Sequence, residues 1–476
     1  MRKPVILWLR QDLRLHDNPA LIAAAALNQP IIPLYILEEP SSIGAASRWW
    51  LHHSLTALKE AFSLQGLDLI VEQGEAKMIL QQLITATGAD RVVWNRRYDQ
   101  PSITIDADIK TILSSAGVIW ESFNSHLLFE PWTIKTKKDQ PYQVFTPFWK
   151  YCLTQKPPFP QAAPTALKGF PLASSSIDEL ELLPTKPDWA GGLKEMWQPG
   201  EAAALKRLDQ FLNEDIINYQ EDRNHPNVDA TSRLSPHLAW GEISPRVIYY
   251  QTIRRLQETP GMGAQTFLSE IGWREFSYHL LFHFPQLPTQ PLKDKFKNFP
   301  WSSDTVLFDL WTKGLTGYPI VDAGMRQLWH TGWMHNRVRM IVASFLVKDL
   351  LLPWQRGAAW FWDTLVDADI ASNSASWQWV SGCGADAAPY FRVFNPILQG
   401  EKFDKSGDYV RRWVPELKNL PSNVIHQPWT ASTACLKAAD VYLGKTYPNP
   451  VIDHNKARLR ALNVFKHLKE DNNIED

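Results

Sequence analysis

The sequence predicts an α/β domain with a parallel, Rossmann-like sheet, followed by an all-α domain, the two joined by a long proline-rich connector. Three observations carry this. Up to about residue 130, short apolar runs alternate with amphipathic stretches. From 131 to 200, prolines crowd and periodicity fades. From Glu201 onward the short apolar runs vanish and helical spacing dominates.

In the first region the runs V-I-L-W-L, I-I-P-L-Y-I-L, L-D-L-I-V, R-V-V-W and V-I-W have the length of buried strands. Helical stretches at Asn18–Ala26, Ser47–Leu64, Glu75–Thr87 and Ser102–Ser115 separate them, which implies parallel strands covered on both faces. No G-x-G-x-x-G follows the first strand, so a dinucleotide site of that kind is not expected there. Ligands of such sheets sit at the carboxyl ends of the strands. The loop W-N-R-R-Y-D, Trp94–Asp99, reads either as a wall of such a site or as an ordinary strand-end loop.

The connector, 131–200, holds K-P-P-F-P, A-A-P, G-F-P and L-P-T-K-P. Beyond it the spacing predicts helices over Ala202–Ile217, Pro245–Leu256, Thr266–Phe282, Asp304–Lys313, Pro319–Thr331, His335–Leu351, Trp354–Leu365 and Ile370–Val380. The polar end E-D-N-N-I-E-D is expected to fray.

A length of 476 residues exceeds one typical core, and 45% hydrophobic residues exclude general disorder. With a formal net charge of −1, any binding of a polyanion must come from a local patch. Three well-separated cysteines argue for a reducing compartment rather than a disulfide framework. The five-residue apolar run before Arg10 is too short for a secretory signal, and no run approaches the ~20 residues of a membrane span. A cytoplasmic, soluble protein is expected. The 22 tryptophans serve either core packing or electron relay, and composition does not separate the two.

The densest chemistry lies between Asp367 and Asn395. There D-A-D, then Asn373 and Trp377 one helical turn apart, fit a buried redox cofactor with an electron relay. The same pattern fits a core helix with aspartates at its cap. D-A-D lacks the further ligands a metal would need, so no metal is expected. T-S-R-L-S-P-H-L, Thr231–Leu238, offers hydroxyls and a cation ahead of a helix: an anion site, or a simple N-cap at Ser235 with Pro236 in the first turn. S-E-I-G-W-R-E-F-S puts Glu270, Trp273 and Arg274 on one helix face, and W-M-H-N-R-V-R-M does the same for Asn336, Arg339 and Met340.

Taken together, W-L-R-Q-D-L-R-L-H-D-N-P-A-L near the start, F-T-P-F-W-K-Y in the connector and the motifs from Thr231 to Asn395 resemble the DNA photolyase and cryptochrome family over nearly the whole chain. The likeness is strongest to bacterial photolyases of the cyclobutane pyrimidine dimer type. It implies that residues 1–130 form an antenna domain and 201–476 a helical FAD-binding, catalytic domain. FAD would be held by Tyr219, Arg223, the loop Thr231, Ser232, Arg233, Leu234 and Ser235, and by Glu270, Trp273, Arg339, Asp367, Asp369 and Asn373. Asn373 would stand beside the redox nitrogen of the ring. A second chromophore, a reduced folate such as methenyltetrahydrofolate ahead of a deazaflavin, would serve as antenna.

By the same resemblance the lesion in UV-damaged DNA would be met by Glu270, Trp273, Asn336 and Met340. Trp377, Trp354 and Trp301 would form the electron chain to the flavin. Trp329, Trp360 and Trp362 are candidate branches, with core packing the default for all three. Arg223, Arg337, Arg392, Gln399, Lys402, Arg411 and Arg412 are the candidate DNA rim, against a reading as scattered surface charge. Trp273, Asn336, Met340 and Asn373 favour dimer repair. A cryptochrome photoreceptor is the alternative; its signalling members carry a long tail where this chain ends soon after R-L-R-A-L. A dark flavin oxidoreductase would need a nicotinamide site, for which no motif appears. A monomer without an obligate protein partner is expected.

Overall fold

The computed structural model describes residues 2–39, 42–258, 261–387 and 392–471, with side chains to 468. The chain divides into two compact units. The first holds 1–219, 232–285 and 366–371; the second holds 220–231, 286–365 and 372–476.

The first unit is built on five parallel strands, β1 (Val5–Leu9), β2 (Ile31–Leu37), β3 (Ile70–Gln73), β4 (Arg91–Asn95) and β5 (Ile119–Phe123), in the order β3-β2-β1-β4-β5. Every residue of β1 and β2 is buried, because helices cover both faces and leave no solvent side for alternation to mark. Two of the crossover helices, Pro19–Ala26 and Gln100–Ser115, start where short polar side chains cap them. Asn18 accepts the Leu21 N–H at 3.2 Å and Asp99 accepts that of Ser102 at 3.1 Å, each just ahead of a proline in the first turn.

The strand order reverses between β1 and β4, and there the carboxyl ends are closed by a polar network. The Arg10 guanidinium meets Asp106 at 2.8 Å and the Asn95 carbonyl at 2.6 Å. The Asn95 amide donates to Asp12 and Asn18, and the Trp94 indole N–H donates to Asp106. In the loop beyond, Arg96 and Tyr98 bond Glu130, while Asp99 is the helix cap. Trp94–Asp99 therefore has a structural use for its polar side chains, as an ordinary strand-end loop does.

The same unit contains the helices Phe145–Cys152, Glu201–Glu214, Pro245–Glu258 and Met262–His283. The five-residue helix after the Thr231 loop runs from Ser235 to Ala239, with Leu234 at its N-cap and no side-chain cap bond. Ser235 is thus the first helical residue rather than the cap, and Pro236 follows it.

The second unit is helical. Its helices include Thr305–Thr312, Pro319–Thr331, Asn336–Ser344, Trp354–Thr364 and most of Ile370–Ser381. Gly332, at φ 65°, ends one of them in the left-handed conformation a side chain would resist. The helix expected over His335–Leu351 is α-helical only to Ser344 and continues as a π-turn over Phe345–Asp349. That turn carries a buried lysine and aspartate, and local packing there overrides the 3.6-residue period. Among the described residues no helix is long and apolar enough to cross a membrane, and no cluster of metal ligands occurs. The end of E-D-N-N-I-E-D, from 472, and residues 388–391 of the dense motif lie outside the described residues.

Candidate functional site

In the first unit, the 22-residue helix Met262–His283 carries Glu270 and Trp273, both half-buried. Trp273 lies flat on Phe145, ring centroids 3.9 Å apart and planes within 8°. Phe276 closes the cluster edge-on, 5.9 Å from Trp273 and 6.0 Å from Phe145. Arg274, one residue on, turns elsewhere. Its guanidinium donates to the His126 carbonyl at 2.7 Å, pairs with Glu275, and covers the Tyr278 ring at 5.0 Å. Tyr278 in turn donates to the Asp369 carboxylate. Burial and that carboxylate hold the phenol well above its ordinary pKa, so the proton of that hydrogen bond stays on Tyr278.

Tyr219 is buried edge-on against Phe211 and Phe267. In the loop, the Ser232 carbonyl accepts from Arg207 at 3.0 Å and Arg233 takes a positive φ of 50°. Leu234 is buried and Ser235 exposed. The loop is thereby set as a turn whose hydroxyls and guanidinium are half-buried or exposed, a donor set suited to a diphosphate. Asp367 is buried and Asp369 half-buried, two acceptors suited to amide and hydroxyl groups.

In the second unit, Asn373 donates its amide N–H to the Ala358 carbonyl at 3.0 Å. That bond fixes the side chain with Oδ1 as the remaining acceptor. Trp377, one turn on, is buried against Phe361 and Trp311, with centroids at 5.0 and 6.3 Å. Gly357 lies against Trp377, where any Cβ would meet the indole ring. Gln378 anchors the helix: its amide donates to the Leu287 and Gln290 carbonyls, both at 2.7 Å, and its Oε1 accepts from Leu292. Trp354 is buried at the start of its helix, and Trp301 is half-buried against Phe299 at 4.2 Å. Trp329 departs from the expected core role. It is 64% exposed and stacks on half-buried Trp360 at 5.9 Å, so packing does not account for it; Trp362 is half-buried.

The helix Asn336–Ser344 is capped by His335, whose ring nitrogen accepts the Arg337 N–H at 3.2 Å. Burial, with Arg337, Arg339 and Arg223 nearby, pushes His335 down to about 3, which keeps the imidazole neutral and able to accept. Asn336 is exposed and Met340 half-buried. Arg339 donates to the Met334 carbonyl at 2.7 Å. Arg337 covers the Phe403 ring at 4.4 Å and donates to Asn224 and the Met340 sulfur.

Of the other rim candidates, Arg392, Lys402 and Arg412 are exposed, while Arg223 and Gln399 are half-buried. Arg411 is different: its guanidinium donates to the carbonyls of Ser406, Lys418 and Leu420 and to the Ser422 hydroxyl. It is a loop clamp, which removes it from the candidate cations for DNA.

Sequence reasoning did not assign Phe145, Tyr278, Gly357, Gln378 or Lys348. A signal existed for two of them. Gly357 sits inside a helix, where glycine is unfavourable unless something approaches closely, and Phe145 opens a motif of unassigned chemistry.

The donor and acceptor sets just described fit FAD, and comparison with known proteins agrees. Residues 5–165 match the DNA photolyase family model, and 267–467 match the FAD binding domain of DNA photolyase. A deoxyribodipyrimidine photo-lyase of Agrobacterium fabrum is 52% identical over 98% of both chains. Cryptochrome-2 of Arabidopsis thaliana is 41% identical over 99% of this chain and 80% of its own. The crystal structure of a bacterial class III photolyase from Agrobacterium tumefaciens superposes with a TM-score of 0.96 at 51% identity, covering 99% of this chain and 98% of that one. The parallel-sheet domain, the helical FAD-binding domain and full-length identity above one half leave one conclusion: this chain belongs to the DNA photolyase and cryptochrome family.

Proposed function

We propose that this protein is a deoxyribodipyrimidine photo-lyase, repairing cyclobutane pyrimidine dimers in UV-damaged DNA under blue light. The observation that carries the reading is the pairing of Trp273 with Glu270. An indole held in a set plane, still half-exposed, stands one helical turn from a half-exposed carboxyl. A flipped base pair needs an aromatic platform, and the carbonyls of a pyrimidine dimer need polar partners. Stacking on such a platform contributes roughly 1–3 kcal/mol per base, enough to offset much of the unstacking cost.

Reduced FAD, when bound, supplies the photoexcited electron that opens the cyclobutane ring and receives it back. The chain's own residues hold and tune the parts. The Thr231–Ser235 loop with Tyr219 and Arg223 takes the diphosphate end. Asp367 and Asp369 accept from the pyrimidine and ribityl side, Asp369 oriented by Tyr278. Asn373, an amide that does not titrate, would offer Oδ1 to the redox nitrogen, and Arg339 would meet the ring. Asn336 and Met340, like Glu270 and Trp273, would meet the dimer. Arg337, Arg392 and Gln399 with Lys402 and Arg412 contact phosphates. Trp377, Trp354 and Trp301 would serve as the electron chain to oxidised flavin.

In this reading 1–130 is the antenna domain, 131–200 the connector and 201–476 the catalytic domain. The antenna is a reduced folate, and the protein works as a cytoplasmic monomer. A blue-light photoreceptor with the same fold and flavin is the second reading, favoured by the 41% identity to a plant cryptochrome. One experiment separates them. The purified, FAD-loaded and reduced protein is illuminated with an oligonucleotide containing one thymine dimer. Repair supports the lyase; an intact dimer beside a normal flavin spectrum leaves the photoreceptor.

A further inference from the structure

We infer that Phe145 is a positioning residue for lesion recognition, setting the plane of the Trp273 indole that receives the flipped dimer. The inference rests on the repair reading above and deepens it. Phe145 belongs to the helix Phe145–Cys152, whose sequence gives no polar or charged group to a reaction centre at that position. Its phenyl ring instead covers one face of Trp273 in parallel contact at 3.9 Å. A base that stacks on Trp273 must therefore use the opposite face.

The contact is imposed by the packing of two helices. At Gly272, beside Trp273, an added Cβ would stand 2.6 Å from the Trp149 indole, so this glycine lets the Trp149 ring lie directly on the helix Met262–His283. Phe148 is buried in the same seam, 5.1 Å from Phe276. With Trp149 and Phe148 seated, Phe145, one turn earlier on the same helix, falls over Trp273. A half-exposed indole on a helix would otherwise sample several side-chain rotamers, and fixing one of them on binding costs affinity. Phe145 removes that cost before the DNA arrives. The motif F-T-P-F-W-K-Y thereby has a use: its two aromatic anchors dock the helix and its first ring backs the lesion platform.

The test is a double-mutant cycle on the FAD-loaded protein, reading the Kd in the dark for an oligonucleotide with one thymine dimer. Phe145→Leu keeps apolar bulk and removes the flat face, so folding is spared. It is expected to raise Kd roughly three- to tenfold, the span of an aromatic pair's contribution. Phe145→Tyr, which keeps the ring, should bind within about twofold of the parent. In a Trp273→Ala background, adding Phe145→Leu should change Kd by less than about twofold, because the ring it would position is gone. Unchanged or tighter binding by Phe145→Leu would overturn the inference. So would a loss that persists in full in the Trp273→Ala background, since that is the mark of a merely structural contact. Trp273→Ala binding as tightly as the parent would instead remove the lesion-pocket reading, and this inference with it.

Discussion

Gly357 and Trp377 occupy one space: a Cβ on Gly357 would stand 2.1 Å from Cη2 and 2.6 Å from Cζ3 of the indole. The helix that begins at Trp354 can lie against Trp377 only because this position has no side chain. Gly357→Ala is therefore expected to displace the Trp377 ring and to destabilise the protein by about 1–3 kcal/mol, the usual cost of overpacking. Photoreduction of oxidised flavin should slow as well, read by absorbance under blue light. A variant with unchanged stability and photoreduction would show that Trp377 has room to move.

Trp377→Phe keeps an aromatic ring in the pocket formed with Phe361 and Trp311 but removes the indole. Photoreduction should fall by at least tenfold, while repair by chemically reduced enzyme persists. Equal loss of both would mean that the ring supports the fold rather than an electron path.

Trp273→Ala should weaken binding of dimer-containing DNA by about 1–3 kcal/mol, with undamaged DNA much less affected. Glu270→Ala should lower the yield of repair per absorbed photon with a smaller effect on affinity. Titration and photon-counted repair assays on the two variants check the split.

Lys348 gives a pH signature. It is buried on the π-turn, and its ammonium donates to the Arg392 carbonyl at 2.8 Å. Burial pushes its pKa down from 10.5 to about 7, against the pull of Asp349. Between about pH 7 and 10.5 the unfolded chain binds the proton that the folded chain does not hold. The contribution of this group to stability is therefore complete above about pH 10.5 and is lost as pH falls towards 7. Lys348→Met should flatten that part of the stability profile and raise stability most near pH 7, as denaturant midpoints at pH 7 and 9 would show.

Arg411 and Arg412 are neighbours with different work. Arg411→Ala removes a guanidinium that bonds three carbonyls and a hydroxyl, and should cost about 2 kcal/mol of stability. Arg412→Ala and Lys402→Ala remove exposed cations; each should reduce the salt dependence of DNA binding by about one unit of slope and leave stability nearly unchanged. Thermal melts and affinities at several salt concentrations distinguish the three.

Periodicity and motif spacing alone determined the parallel-sheet domain, the helical domain and nearly every helix between Ala202 and Val380, because burial on a helix or sheet face repeats at a period that can be read along the chain. The same local information placed Glu270 and Trp273 on one helix and Asn373 one turn before Trp377. What only the tertiary structure decided are contacts between residues far apart in sequence. Phe145 lies on Trp273, Tyr278 holds Asp369, Gly357 admits Trp377, and Arg411 turns back onto its own loop while Trp329 emerges to the surface. No period records such pairings. They follow from which faces close-packed helices bring together, and close packing is settled by volume and shape across the whole core rather than by any one segment.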